Sequence, residues 1–360
     1  MMKAVRYNFD KTPGALELAD VEKPIVGPND ILLRVVYSGI CGSDIARYRQ
    51  LASSPEALSN QLGRISPTIG HEFSGVIDQI GKNIPEKWED DTPVIGSRVV
   101  VHPILGCEEC ESCQSGYWSA CQTPGKMQLL GLHKDGGMAN WVSVPFNHVV
   151  KIDNDKLPLE TATLAEPLAV AIRAIDRLSI DNINSPVAVL GDGSIGIISA
   201  HYLKQQGFEN VLLVGRHQNR LDIAKEMGMD NISFSRDINP SDYNQYPYVI
   251  QLAGSQEALE TGIHLLKRSG TMVCLGYLHQ GDPGLSPDLF FQIIHKEKTI
   301  KGSHSYSFAE FKRALHLISS EKLQLAPLIS TIIPLEDIIL KGFEPLVSQD
   351  KPSGKVLIKL

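Results

Sequence analysis

The sequence lacks an excess of basic residues. It contains 34 lysines and arginines against 41 aspartates and glutamates, which gives a formal net charge of −7. Proteins that bind nucleic acids or anionic membranes through charge present basic patches, so this balance gives no support to either kind of partner. We therefore expect a small-molecule ligand, with no nucleic acid and no membrane involved.

Long apolar runs are also missing. No uninterrupted apolar stretch approaches the roughly 20 residues that span a bilayer, and the start of the chain, Met1 to Tyr7, lacks the apolar region of a secretory signal. Disulfides are not indicated either, because four of the 6 cysteines cluster within residues 107–121. Such clustering favours thiolate ligands in a reducing compartment. We expect a cytoplasmic protein.

The cysteine cluster has the spacing C-x2-C-x2-C-x7-C. Three thiols two residues apart and a fourth one loop away can surround one Zn²⁺ as a tetrahedron. Because four protein ligands fill the coordination sphere, this zinc would be structural and would lie in a small lobe at 106–122. The predicted ligands are Cys107, Cys110, Cys113 and Cys121.

The distribution of apolar residues predicts two domains. The first part is rich in Val and Ile runs separated by Gly and Pro, as at 30–36 and 96–101, and indicates a β-rich, barrel-like domain. From about 160 the pattern changes to strands that alternate with helices, typical of βαβ units. We predict a β-rich domain from 1–158 and 300–360 and a parallel-sheet domain from 159–299 inserted within it.

The predicted elements of the later part of the chain have clear boundaries, whereas 51–67 is predicted to be a long polar loop. Strands are expected at 187–190, 211–214, 248–252, 271–275 and 354–359. Helices are expected at 160–178, 194–206, 256–267 and 309–319, with another helix ending near 228.

A glycine-rich motif, G-x-G-x-x-G, follows the apolar strand at 187–190 directly and opens the next helix. In this context the motif indicates a dinucleotide site, because its glycines permit a tight turn, close approach of a pyrophosphate and close helix packing. An ordinary strand–helix turn is the alternative. The predicted cofactor-binding residues of the motif are Gly191, Gly193, Ser194, Ile195 and Gly196.

The end of the second strand of this domain favours NADP(H) over NAD(H). Sites specific for NAD place an Asp or Glu there, which accepts a hydrogen bond from the ribose 2′-hydroxyl. This chain has Gly215 and Arg216 instead. Glycine leaves space for a 2′-phosphate and arginine can pair with it, with Arg220 as a second candidate. Alternatively, Arg216 is a solvated surface charge, and Arg220 lies on an exposed helix face.

Three further segments complete a resemblance to a known family. Cys41 lies in G-I-C-G-S-D, His71 in G-H-E-F-S-G, and Glu166 begins E-P-L-A-V. With the cysteine cluster and the glycine-rich motif, these segments occur in the order found in the zinc-containing medium-chain dehydrogenases. The chain most resembles the polyol (sorbitol-type) and threonine dehydrogenase branch, over essentially its whole length.

This resemblance implies an α/β fold with a GroES-like β-rich catalytic domain and a Rossmann coenzyme domain. It implies two zinc ions per chain, the catalytic one held by Cys41, His71 and Glu166, with Glu72 as an alternating or water-mediated ligand. Ser43 would pass the substrate proton towards the cofactor ribose. The implied reaction interconverts a secondary alcohol of a polyol or sugar derivative and its ketone, in a homodimer or homotetramer.

The sequence also departs from the family. A histidine that often ends the proton relay is replaced by Ala46. Arg47, which follows it, either binds a carboxylate or phosphate on the substrate or faces solvent. Two alternative functions stay open: threonine 3-dehydrogenase activity, and a zinc-stabilised nucleotide-binding protein without turnover.

Overall fold

The computed structural model of the chain describes residues 1–10, 15–63, 65–85, 94–278, 282–348 and 352–360. The chain divides into two units. The first comprises Met1–Glu166, Phe311–Glu321 and Ile329–Leu360, and the second comprises Pro167–Glu310 and Lys322–Leu328. The domain boundaries expected from the sequence, near 158 and 300, stay a prediction. Within the described residues, no helix has the length and apolar character needed to cross a membrane.

The strands, in chain order, are β1 (Met2–Asn8), β2 (Ala15–Val21), β3 (Asp30–Gly39), β4 (Glu72–Ile80), β5 (Arg98–Val101), β6 (Ile104–Leu105), β7 (Gln128–Leu129), β8 (Trp141–Pro145), β9 (Val149–Lys151), β10 (Val187–Leu190), β11 (Val211–Gly215), β12 (Ile232–Phe234), β13 (Tyr246–Gln251), β14 (Leu266–Cys274), β15 (Thr299–Gly302), β16 (Ile329–Pro334) and β17 (Lys355–Lys359). The α-helices are α1 (Gly42–Ser53), α2 (Pro55–Gln61), α3 (Glu111–Gln114), α4 (Leu159–Ala162), α5 (Ala165–Leu178), α6 (Ser194–Gln205), α7 (Gln218–Glu226), α8 (Gln256–Leu265), α9 (Pro287–His295), α10 (Phe308–Ser319) and α11 (Glu344–Val347).

A seven-stranded sheet forms the core of the first unit. Its strand order is β16-β17-β3-β4-β5-β9, and β8 also pairs with β3. Along β3, alternate residues Ile31, Leu33 and Val35 point to the same face, where they pack with Phe73 and Ile77 in one buried cluster. This sheet confirms the β-rich domain that the Val and Ile runs predicted.

A parallel six-stranded sheet forms the core of the second unit. Its order is β12-β11-β10-β13-β14-β15, and every pairing is parallel. All four residues of β10 are buried, as expected for a central strand covered on both faces. The chain runs outwards in one direction from β10 to β12 and then returns to pair β13 on the other side of β10. This is the doubly wound order of dinucleotide-binding folds, and it confirms the predicted α/β class.

Some element boundaries predicted from the sequence are wrong. The polar segment at 51–67 is not a continuous loop, since α1 runs to Ser53 and α2 follows from Pro55. Proline is favoured at the first position of a helix, so Pro55 was a start signal. The predicted helix at 256–267 ends at Leu265, because β14 already begins at Leu266 and lengthens the parallel sheet.

Two buried histidines lie in the first unit beside Trp118. The ring centroids of His102 and His148 are 4.9 Å and 4.2 Å from that of Trp118. Burial disfavours the charged imidazolium, so the pKa of both histidines is lowered, to about 4 for His148. Both rings are therefore neutral in the folded protein near pH 7.

This burial predicts acid sensitivity of the first unit. Between the ordinary histidine pKa of about 6.5 and the folded-state pKa, the unfolded chain binds a proton that the folded chain does not. The free energy of unfolding should fall as the pH falls from 6.5 towards 4, by up to about 3 kcal/mol for His148. His148→Phe should reduce the slope of melting temperature against pH, measured by calorimetry. The exposed His316→Gln is the control, and an equal slope in parent and H148F would contradict the prediction.

Candidate active site

The register of two strands brings Cys41 and His71 together. Strand β3 ends at Gly39, β4 begins at Glu72, and these two residues are partners in the antiparallel ladder. The residues just after β3 therefore lie beside those just before β4. The ligand atoms of Cys41, His71 and Glu72 all lie within 4.8 Å of one another.

The chemistry of this group fits a zinc ion. Thiolate, imidazole and carboxylate are the donors that zinc prefers, and His71 and Glu72 are buried. Burial, followed by the negative charge of Glu72, raises the pKa of Cys41 to about 11. A divalent cation in the group would reverse this by favouring the thiolate. The three residues would hold the metal and leave a position for another ligand.

Glu166, predicted to be a principal ligand, stays a prediction in that role. It is buried in the first turn of α5, and its charge acts on Lys355. It does not belong to the group of three whose ligand atoms lie within 4.8 Å of one another. Glu72, predicted as the alternating ligand, does belong to it.

Lys355 is a buried residue of this site that the sequence reasoning missed. It is the first residue of β17, and its Nζ donates to Glu72 Oε1 at 2.6 Å. Burial alone would lower the pKa of Lys355, but the negative charge of Glu72 raises it. The amine therefore stays charged. A lysine directly before the apolar run V-L-I, in G-K-V-L-I-K, was the available signal.

The start of α1 surrounds the metal-binding group with polar contacts. The carboxylate of Asp44 accepts a hydrogen bond from the Cys41 backbone N–H at 3.0 Å and lies 3.6 Å from His71 Nδ1. The Ser43 hydroxyl forms a hydrogen bond that lowers the pKa of Cys41, though less than burial raises it. One helical turn further on, Arg47 donates to Ser43 Oγ at 3.2 Å and lies 3.7 Å from Asp44 Oδ1.

The four clustered cysteines converge as predicted for a second metal site. Their sulfur atoms all lie within 4.8 Å of one another. Four sulfurs bound to one zinc at about 2.3 Å lie about 3.8 Å apart, and Cys107 Sγ and Cys113 Sγ are 3.8 Å apart. A hydrogen bond from the Thr123 hydroxyl, at 3.2 Å, is the main cause that lowers the pKa of Cys107 to about 6. The donor set and spacing fit a structural zinc.

The glycine-rich motif of the second unit has the geometry of a phosphate site. It connects β10 to α6, which begins at Ser194. A Cβ atom on Gly196 would lie 1.8 Å from the carbonyl oxygen of Gly191, so only glycine permits this close packing. A Cβ atom on Gly193 would meet no atom within 4 Å, which leaves room for a phosphate. The backbone N–H groups of the first turn of α6, from Ser194 and Ile195 onwards, are available to an anion.

A pocket lies beside this motif at the end of β11. Gly191, Asp192, Gly215 and Arg216 all line it. The side chain of Arg216 is exposed, whereas Arg220 points towards Asp192, with Nη1 3.7 Å from Oδ1. The sequence reasoning gave Asp192 no role, although it stands inside the motif. Its position between two glycines at the end of a strand was the only indication in the sequence that it has a role.

Comparisons with known proteins agree with this geometry. Residues 27–154 match the family described as alcohol dehydrogenase GroES-like domain, and residues 194–320 match zinc-binding dehydrogenase. A 2-dehydro-3-deoxy-L-galactonate 5-dehydrogenase of Pseudoalteromonas atlantica is 29% identical over 332 residues, 88% of this chain and 89% of that protein.

Two solved structures resemble the chain over almost their whole length. One is a putative zinc-binding dehydrogenase from Sinorhizobium meliloti bound to NADP, with a TM-score of 0.82 and 27% identity over 100% of this chain and 99% of that one. The other is galactitol-1-phosphate dehydrogenase from Escherichia coli, with a TM-score of 0.84 and 25% identity over 100% of both chains. The chain therefore belongs to the zinc-containing medium-chain dehydrogenases, and is a zinc- and NAD(P)-dependent alcohol oxidoreductase.

Proposed function

We propose that the enzyme interconverts a secondary alcohol and a ketone on a polyol or sugar derivative that carries a negative charge. The observation that supports this most is the guanidinium of Arg47, one helical turn from Ser43 and Asp44 at the metal-binding group. The galactitol-1-phosphate and 2-dehydro-3-deoxy-L-galactonate dehydrogenases, which resemble this chain, are named for substrates with a phosphate and a carboxylate. A phosphate or carboxylate is what arginine binds best.

The residues around the metal-binding group have distinct proposed roles. Cys41 and His71 would hold the catalytic zinc, with Glu72 or Glu166 as the third ligand. Zinc supplies Lewis acidity, which favours loss of the alcohol proton and polarises the carbonyl in the reverse direction. The Ser43 hydroxyl would take up the substrate proton, and the guanidinium of Arg47 orients that hydroxyl by donating to its oxygen. Because position 46 is alanine, Ser43 would pass the proton to water or to the cofactor ribose.

The proposed cofactor preference is NADP(H) over NAD(H). Residue 215 is a glycine, so it offers no carboxylate that could accept a hydrogen bond from a ribose 2′-hydroxyl. The exposed Arg216 lines the pocket beside the glycine-rich motif. The related structure from S. meliloti was solved with NADP. The nicotinamide would supply hydride acceptance and donation.

A homodimer or homotetramer is the proposed assembly. In the part of the chain that the structure describes, β15 pairs with β14 alone and leaves one strand edge open. Helix α9, which precedes it, exposes 56% of Phe290, 63% of Phe291 and 62% of Ile294. An open edge beside exposed apolar side chains supports pairing between identical chains about a twofold axis. A reducing, cytoplasmic compartment stays the proposed location, since it keeps the zinc-binding thiols reduced.

Metal analysis tests the two zinc sites. We expect two zinc ions per purified chain by mass spectrometry, and one each in Cys41→Ser and Cys113→Ser. The C41S variant should lose turnover while it keeps its melting temperature within a few degrees, whereas C113S should melt well below the parent because its lobe loses a structural metal. Cys274→Ser, which lies outside both groups, should keep two zinc ions. A single zinc in the parent chain would refute a separate catalytic metal.

Substrate selectivity tests the role of Arg47. Arg47→Ala should lower kcat/KM for polyol phosphates and sugar acids at least about 10-fold more than for neutral polyols. The reason is that only the anionic substrates lose a charge-assisted hydrogen bond to Arg47, which is worth about 1.5–3 kcal/mol. Arg49→Ala, at an exposed position of the same helix, is the control. If neutral and anionic substrates lose kcat/KM equally, Arg47 acts only through Ser43 and the anionic substrate class is wrong.

The role of Arg216 is testable by cofactor kinetics. Arg216→Ala should raise the KM for NADP⁺ about 10-fold or more, with a much smaller change for NAD⁺, because only NADP⁺ carries the 2′-phosphate. Lys225→Ala, on the exposed part of α7, should change neither. A parallel loss with both cofactors would remove the assignment of Arg216.

A further inference from the structure

Asp192 carries a carboxylate from the glycine-rich motif to the end of β11. The side chain is buried, and its Oδ2 accepts hydrogen bonds from the backbone N–H groups of Arg216 at 2.7 Å and His217 at 2.6 Å. His217 Nδ1 lies 3.0 Å from Oδ2 and 3.1 Å from Oδ1, and Arg220 Nη1 lies 3.7 Å from Oδ1. One carboxylate therefore contacts the backbone N–H groups of Arg216 and His217, the imidazole of His217 and the guanidinium of Arg220.

These contacts leave Asp192 little capacity to bind a ligand. A carboxylate oxygen has two lone pairs, and those of Oδ2 are occupied by two short backbone hydrogen bonds. Burial disfavours the charged form, but the hydrogen bonds from His217 and Arg216 outweigh it and lower the pKa of Asp192. The residue is ionised at neutral pH, yet it is directed at the protein rather than at a ribose hydroxyl.

Asp192 and Leu221 together restrict which residue position 215 can hold. A Cβ atom built on Gly215 would lie 2.6 Å from Asp192 Cβ, 2.7 Å from Leu221 Cδ2 and 2.8 Å from Asp192 Oδ2. These separations are too short for any side chain. In NAD-specific sites an aspartate at this position accepts a hydrogen bond from the ribose 2′-hydroxyl. An aspartate at 215 would meet both a steric clash and a second negative charge. The placement of Asp192 therefore requires glycine at position 215.

We propose that Asp192 is a positioning residue for NADP(H) selectivity. Together with Leu221 it excludes a carboxylate from position 215, and it holds the His217 imidazole and the Arg220 guanidinium beside Arg216, where a 2′-phosphate would bind. The inference rests on the proposed NADP(H) preference and adds to it the residue that maintains the preference. Arg216 would contact the phosphate, whereas Asp192 acts through its neighbours.

Cofactor binding to a set of variants tests this arrangement. The proteins compared are the parent, Asp192→Ala, Gly215→Asp and the double variant D192A/G215D. Dissociation constants for NADPH and NADH are measured by fluorescence titration without substrate, and melting temperatures show which variants are folded. Asp192→Ser, which also lacks the carboxylate, replaces D192A in both the single and the double variant if D192A does not fold.

The proposal expects strong coupling between the two positions. G215D alone should weaken both cofactors at least 10-fold or lower the melting temperature. D192A should reduce the NADPH-to-NADH affinity ratio about 10-fold. The double variant should be more stable than G215D and bind NADH at least 10-fold more tightly than G215D does, because the new aspartate then meets neither the Asp192 carboxylate oxygen nor a second negative charge, while its contacts with the Cβ of residue 192 and with Leu221 stay the same in both variants.

Several outcomes would overturn the proposal. Additive effects of D192A and G215D would show that the carboxylates at the two positions do not interfere with each other. A rise in NADPH affinity in D192A would show that the carboxylate merely repels the phosphate. A loss of affinity for NADH alone would show that Asp192 itself binds the ribose 2′-hydroxyl. The parent protein tests the underlying preference separately: if it binds NADH more tightly than NADPH, the proposed cofactor is wrong, whatever the coupling.

Discussion

The metal-binding group depends on the register of β3 against β4. With Gly39 opposite Glu72, the chain leaves β3 towards Cys41 at the same place where it enters β4 from His71. Side chains alternate between the two faces of a strand, so a slip by one residue would turn Glu72 away from the thiol. The buried residues of β3 resist such a slip, because it would move Ile31, Leu33 and Val35 out of the core cluster.

Buried charge is the second constraint on this group. A carboxylate removed from water costs several kcal/mol unless it is paired, and Glu72 is 1% exposed. Lys355 supplies the compensating charge from β17, which itself pairs with β3. The C-terminal strand is thus part of the site, and loss of the lysine would leave an uncompensated negative charge beside Cys41. A cation bound by Cys41, His71 and Glu72 would reduce the same excess of negative charge.

Features encoded by nearby residues were predictable from the sequence, and features encoded by distant pairs were not. The four cysteines and the glycine-rich motif each carry their geometry in a short spacing, and the structure forms both as expected. The pairing of Lys355 with Glu72 spans 283 residues, and no local pattern reveals it. Asp192 and Arg216 are 24 residues apart and meet only because β10 and β11 are neighbours. Cys41 and His71 were linked by family resemblance alone.

The two units contain buried carboxylates that differ in how their charge is balanced, and this difference bears on what each carboxylate can bind. The charge of Glu72 is balanced by one buried lysine side chain, so a metal can compete for the Glu72 oxygens at the cost of one ion pair. Asp192 is balanced by two backbone N–H groups fixed in the turn after β11, and no side-chain movement releases them. A ligand that sought the Asp192 carboxylate would have to break the turn itself. Pairing with backbone makes a carboxylate part of the scaffold, whereas pairing with a side chain keeps it available for chemistry.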